Sequence, residues 1–135
     1  MGKVVTLTEA ASIALHGMII IARSKHLVNV QEIAELTGTS RHHVAKIFQR
    51  LVKAGYLYSQ RGPTGGFILR KEPKEINFLE LYEAIEGTLE ITKCPLDKPI
   101  CNFDRCIMNN VTLKMTIDFK EYLKSQTLDM YLENL

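Results

Sequence analysis

The chain has 135 residues, 46% of them apolar and 24% charged. These values suit one compact domain, or a small domain with an oligomerisation element, and exclude disorder as the default. The richest apolar run, Ile13 to Ala22, is broken by His16 and Gly17 and is too short to cross a bilayer. The first residues lack the basic start and small-residue cleavage site of a secretory leader, so a cytoplasmic protein with reduced thiols and no membrane partner is expected. The net charge of +2 divides unevenly, with +7 on residues 1–74 and −5 on residues 75–135. The first half therefore suits a polyanion, and the second faces something else.

Helix starts are marked where Ser, Thr or Asn precedes Glu by three residues, at Thr6…Glu9, Asn29…Glu32 and Asn77…Glu80, with Thr39/Ser40 a less clean case. The first helix is expected over residues 8–24, apolar on most sides and buried. A short helix over 30–36 turns Val30, Ile33, Ala34 and Leu36 inward and ends at Gly38. A longer helix over 40–54 repeats Val44, Ile47, Phe48 and Leu51 at helical spacing, with Arg41, His42, Lys46, Gln49, Arg50 and Lys53 largely opposite. The period then changes to two. Residues 56–60 and 66–70 read as strands, joined by Arg61-Gly62-Pro63-Thr64-Gly65. A helix near 77–86 follows, then a loop from Gly87 to Arg105. A last long helix, over 106–124, carries Ile107, Val111, Met115, Phe119 and Tyr122/Leu123 as a narrow stripe suited to pairing with a symmetry mate. A short terminal helix follows Ser125–Thr127.

The expected fold is mainly α with a small β-hairpin: a winged helix-turn-helix over residues 1–75, then a cysteine loop and long dimerisation helix over 76–135. In such a unit the second helix enters the major groove by its N-terminal turn. Ser40, Arg41, His42 and His43 occupy that turn, and Lys46 and Arg50 follow at helical spacing, suited to phosphates or guanine edges. The hairpin tip, Arg61, Gly62, Pro63, Thr64 and Gly65, presents one guanidinium on a narrow loop, a shape that fits a minor groove. Taken alone, Arg41, Lys46 and Arg50 equally fit a solvated helix face, and His42 and His43 equally fit plain surface positions. The preceding helix-turn and the Gly-rich wing favour double-stranded DNA.

Cys94, Cys101 and Cys106 are the only cysteines and fall within thirteen residues, as C-x6-C-x4-C. Thiols gathered on one loop beside Pro95 and Pro99 suit zinc or an iron–sulfur centre, and Lys93, Lys98 and Arg105 favour their thiolate form. A disulfide would leave one thiol over. No phosphate-cradling loop, Ser-His-Asp set or paired carboxylates mark an enzyme.

Five stretches carry a family resemblance: Leu7-Thr8, Ile33-Ala34-Glu35…Ser40, Leu51 to Gly55, Arg61 to Phe67, and Glu83 to Gly87 ahead of the cysteines. On these the chain resembles, over about residues 4–130, the winged-helix regulators that include the iron–sulfur cluster regulator IscR, the nitric-oxide sensor NsrR and the cluster-free regulator CymR. The resemblance implies a homodimer on a palindromic operator. It also implies a [2Fe-2S] or [4Fe-4S] cluster on Cys94, Cys101 and Cys106 that tunes DNA affinity as a redox, nitric-oxide or iron-supply sensor, in a repressor or activator. Three cysteines leave one ligand to be found. Asn109 stands where one branch has a histidine, and the resemblance offers Ser12 or His16 of the partner subunit instead. For His16 the alternative is a core histidine bonded to a backbone carbonyl. The alternative for the whole is a zinc-binding or cluster-free dimeric regulator that answers to a small ligand or to thiol chemistry.

Overall fold

The computed structural model describes residues 6–91 and 101–133. Helix α1, Glu9–Arg23, starts where the Thr8 hydroxyl accepts the Ala11 N–H at 3.1 Å. Thr8 rather than Thr6 is therefore the cap. The Thr6 carbonyl instead accepts the Tyr82 hydroxyl at 3.0 Å. As expected, α1 is largely enclosed, with Ala11, Ala14 and Met18 fully buried.

Helix α2, Val30–Thr37, is capped by Asn29 and ends at Gly38, whose φ of 68° is the left-handed conformation that closes a helix. Helix α3, Arg41–Lys53, begins at Ser40, whose hydroxyl accepts the His43 N–H at 3.2 Å. Its apolar face of Val44, Ile47, Phe48 and Leu51 is buried. The period of two then gives β1, Leu57–Gln60, antiparallel to β2, Gly66–Leu69, with Leu57 opposite Leu69 and Gln60 opposite Gly66. The chain before α2 joins this hairpin, because Val28 and Phe67 exchange backbone hydrogen bonds of 3.1 and 2.8 Å. Gly66 permits that pairing: a β-carbon there would lie 2.6 Å from the Val28 carbonyl oxygen.

After a 3-10 turn at Pro73–Glu75 comes α4, Phe78–Glu86, closed at its start by a reciprocal capping box between Asn77 and Glu80. Helix α5, Val111–Ser125, starts five residues later than its apolar spacing predicts. Asn109 and Asn110 stand at φ of 53° and 55°, a left-handed pair that a continuous helix cannot contain. Ile107 thus falls outside the helix, exposed. The expected stripe also divides. Phe119 meets the Tyr82 ring edge-on at 5.4 Å and Leu123 is buried, whereas Val111, Met115 and Tyr122 share an exposed face. A 3-10 turn at Leu128–Tyr131 ends the fold. Its approach is tied to the start of α4 by the Phe78 N–H to Gln126 carbonyl bond (2.9 Å) and the Leu128 N–H to Ile76 carbonyl bond (3.1 Å).

The core joins α1, α3, α4 and β2. Its tightest point is Gly17, where an added β-carbon would lie 2.2 Å from Phe48 Cζ. Alanine in a helix interior is ordinarily about 1 kcal/mol better than glycine. At this site overpacking against a buried ring costs about 1–3 kcal/mol and outweighs that gain. Gly17→Ala should therefore lower the urea unfolding midpoint, and a raised midpoint would show that the two helices have room to spare.

Candidate nucleic-acid interface and cysteine loop

The Val28–Phe67 pairing brings the start of α2 beside the hairpin, and α3 closes the third side. The resulting cleft is lined by Gln31 from α2, by Arg41, His42, Ala45 and Gln49 from α3, and by Ser59, Gln60, Arg61, Gly62 and Gly65 from the hairpin. Arg41, His42 and Gln49 are exposed, as are Arg61, Gly62, Pro63 and Thr64 around the tip. Lys46 and Arg50 are exposed on α3 but lie outside the cleft. Ser40 has a structural duty, since its hydroxyl is occupied by the helix cap.

His43 departs from the expected group. It is half-buried, with Nδ1 3.9 Å from Glu9 Oε1, so it faces the start of α1 while its neighbour His42 lines the cleft. Gly65 also serves the hairpin itself, because a β-carbon there would meet the Gln60 carbonyl oxygen at 2.1 Å. Gln31, Ser59 and Gln60 line the cleft in addition to the residues expected from the sequence. Strand alternation was the one local signal for the latter two, and nothing local marked Gln31.

On α1, His16 is exposed, which removes the reading of a core histidine. Its Nδ1 lies 2.7 Å from the Ser12 carbonyl oxygen and 3.3 Å from the Ser12 hydroxyl. A carbonyl only accepts, so Nδ1 is the donor in this contact. His16 lines a groove along α1 with Ser12, Ile19, Ile20, Leu36 and Tyr131.

Of the cysteines, Cys101 is exposed and Cys106 half-buried, while Cys94 lies outside the described residues. Among the described residues no three His, Cys, Asp or Glu side chains converge as a metal site. Asn109 donates its N–H to the Cys106 carbonyl at 3.0 Å, in the turn that precedes α5. The entrance to the loop is held from two sides. The Leu89 N–H donates to Glu83 Oε2 at 2.7 Å, and Lys120 Nζ donates to the Leu89 carbonyl at 2.9 Å. One turn further along α4, Glu86 accepts the Thr8 hydroxyl at 2.6 Å, joining α4 to the N-terminus of α1. Burial, and then the Glu86 carboxylate, raises the Tyr82 hydroxyl above its ordinary value of 10.0, and this hydroxyl donates to the Thr6 carbonyl.

Residues 7–134 match the Rrf2 family, described as iron-dependent transcriptional regulators. The chain belongs to the Rrf2 family. It is 29% identical over 107 residues to the HTH-type transcriptional regulator IscR of Pectobacterium atrosepticum, covering 79% of this chain and 65% of that protein, so it spans just under two thirds of that relative's length. It is 29% identical over 132 residues to the HTH-type transcriptional regulator NsrR of Bacillus subtilis, covering 95% of this chain and 90% of that one. Its fold is similar to that of CymR, the global cysteine regulator of B. subtilis, with a TM-score of 0.77 at 22% identity over 95% and 96% of the two chains. It is also similar to T. potens IscR, with a TM-score of 0.71 at 26% identity over 93% and 84%. The winged-helix fold and the family expected from the sequence thus both hold. The named relatives are transcriptional regulators, in line with the expectation that the chain is not an enzyme. Among the described residues no helix is long and apolar enough to cross a membrane.

The duty of Ser40 is open to direct measurement. Ser40→Ala should cost about 1 kcal/mol of stability through loss of the cap, and Ser40→Asp should retain most of it. An unchanged urea midpoint in Ser40→Ala would free that hydroxyl for another role.

Proposed function

We propose that this Rrf2-family chain is a cytoplasmic transcriptional regulator that binds palindromic double-stranded DNA as a homodimer. An iron–sulfur cluster tunes that binding. The observation that carries the reading is the cleft between the acid-free face of α3 and a wing tipped by Arg61. In this reading the N-terminal turn of α3 enters the major groove, with Arg41 and His42 toward base edges and Lys46 and Arg50 toward phosphates. Ser40 and His43 hold the end of the helix in place. Arg61, on the Gly62-Pro63-Thr64-Gly65 loop, enters the minor groove, where the potential is most negative.

The dimer reading rests on the exposed face of α5. Val111, Met115 and Tyr122 lie on one side of that helix, and Ile107 and Met108, just ahead of it in the chain, are also exposed. Exposed apolar side chains gathered in this way are what a second copy would cover.

The donor set on the loop fits an iron–sulfur centre. Cys101 and Cys106 are free thiols outside the core, and Cys94 completes the set that soft metals favour. His16 of the partner subunit is the proposed fourth ligand. Its Nδ1 bond to the Ser12 carbonyl leaves Nε2 as the ring nitrogen to face a metal, the arrangement that metal-bound histidines use. When bound, the cluster supplies a centre whose charge and ligation change with redox state, nitric oxide or iron supply.

This chain's own residues would then carry a loop movement inward. Leu89 takes it up at the loop entrance, held by Glu83 and Lys120. Helix α4 passes it through Glu86 to Thr8, and Glu9 passes it to His43 at the head of α3. Such a signal alters DNA affinity only by favouring one of two arrangements.

Iron, acid-labile sulfide and zinc should be measured on protein purified without oxygen. Iron and sulfide in near-equal amounts with a visible charge-transfer band are expected, and either should be lost in Cys94→Ala, Cys101→Ala or Cys106→Ala. Zinc, or no metal, would move the signal to thiol chemistry or a small ligand. Spectra of His16→Ala should differ from those of the parent, and identical spectra would remove His16 from the ligand set. Arg61→Ala should weaken binding to a selected operator about tenfold. Unchanged affinity would take Arg61 out of the groove.

A further inference from the structure

Resting on the DNA-binding reading above, we infer that Arg41 is the side chain through which α3 selects a guanine, and that Gln31 is the positioning residue that presents it. Arg41 is the first residue of α3 and lines the cleft with Gln49 and Arg61. Its guanidinium holds five N–H donors in a rigid plane and no acceptor. Arg41 Nη1 donates to Gln31 Oε1 at 3.1 Å. Gln31 Nε2 in turn donates to Glu35 Oε1 at 2.6 Å.

The orientation of that amide follows from its neighbours. A carboxylate only accepts and a guanidinium only donates, so the amide nitrogen must turn to Glu35 and its oxygen to Arg41. Glu35 stands one helical turn beyond Gln31 on α2, where such pairs meet. The relay Glu35–Gln31–Arg41 therefore ties the guanidinium to α2 through a neutral group. A carboxylate in the place of Gln31 would pair with the whole fork and cancel its charge. The amide takes one donor and leaves the remaining donors and the full charge free.

A planar pair of free donors matches the O6 and N7 acceptors of guanine in the major groove. A phosphate offers a similar pair of acceptors and carries no sequence information. Two features favour the base. Arg41 sits in the first turn of α3, the part of such a helix that meets base edges. Its guanidinium is also tethered at one nitrogen by Gln31, and orientation matters more for a base edge than for a phosphate.

The test uses the full chain and a pool of random-sequence duplexes, from which the best-bound sequence is selected. Affinities for that duplex, its single-base-pair variants and a scrambled duplex are then read by fluorescence anisotropy at several salt concentrations. The parent should prefer guanine at one position in each half-site, by on the order of tenfold. Arg41→Ala and Arg41→Lys should erase that preference. Gln31→Ala should reduce it several-fold and, because Gln31 is uncharged, leave the salt dependence unchanged. Gln31→Glu should weaken binding to every duplex. Both side chains are exposed, so thermal melts of the variants should stay close to the parent's. If Arg41→Ala weakens all duplexes equally and lowers the salt slope, Arg41 holds a phosphate and the inference fails while the DNA reading stands. If Gln31→Ala leaves the base preference untouched, the positioning role fails. A parent that binds none of the duplexes would overturn the DNA reading and this inference with it.

Discussion

The close approach of α1 and α3 at Gly17 governs the rest of the molecule. Phe48 is completely buried there, and its ring also lies 5.7 Å from Phe67 of β2 at an interplanar angle of 39°. One aromatic side chain thus meets the helix behind α3 and the wing beside it. Because interiors pack at near-crystalline density, that ring cannot turn without displacing both neighbours. The roll of α3 about its own axis is set accordingly. Its outward residues, Arg41 and Lys46 among them, are outward because Phe48 and Leu51 are held inward.

A second level of organisation consists of a few polar contacts around the ends of α4. Glu83 and Lys120 hold the two backbone groups of Leu89, and Glu86 holds Thr8. Glu9 then faces His43. Each contact is small beside the hydrophobic core. Together they connect the entrance of the cysteine loop to the head of α3 through short, directional steps. Such contacts can break or re-form without disturbing the core beneath them.

Much of this was legible in the sequence because the hydrophobic period carries it. The change from helical spacing through Leu51 to alternation after Tyr56 located the wing, and Asn29 and Asn77 announced their helices by composition. The misreadings have local causes. Ile107 and Val111 are four apart and extend the helical pattern, yet Asn109 and Asn110 leave it through their backbone angles. Thr6 and Thr8 carry the same hydroxyl, and only the backbone shows which of them caps α1. His42 and His43 are identical neighbours, but one helical step turns the second toward Glu9. Gln31 reaches the cleft because Val28 pairs with Phe67, 39 residues away, and no local pattern encodes that.

The first turn of α3 holds Arg41 and no acidic residue. A helix N-terminus is the positive end of its dipole, where cations are unwelcome and anions welcome. The free protein therefore holds a small electrostatic debt at this helix end, which any nearby anion discharges. Through mass action, a polyanion bound there raises the unfolding temperature of the whole chain, whatever its sequence. Occupancy of this helix end is then readable as heat resistance, and a simple highly charged polymer such as heparin would register it.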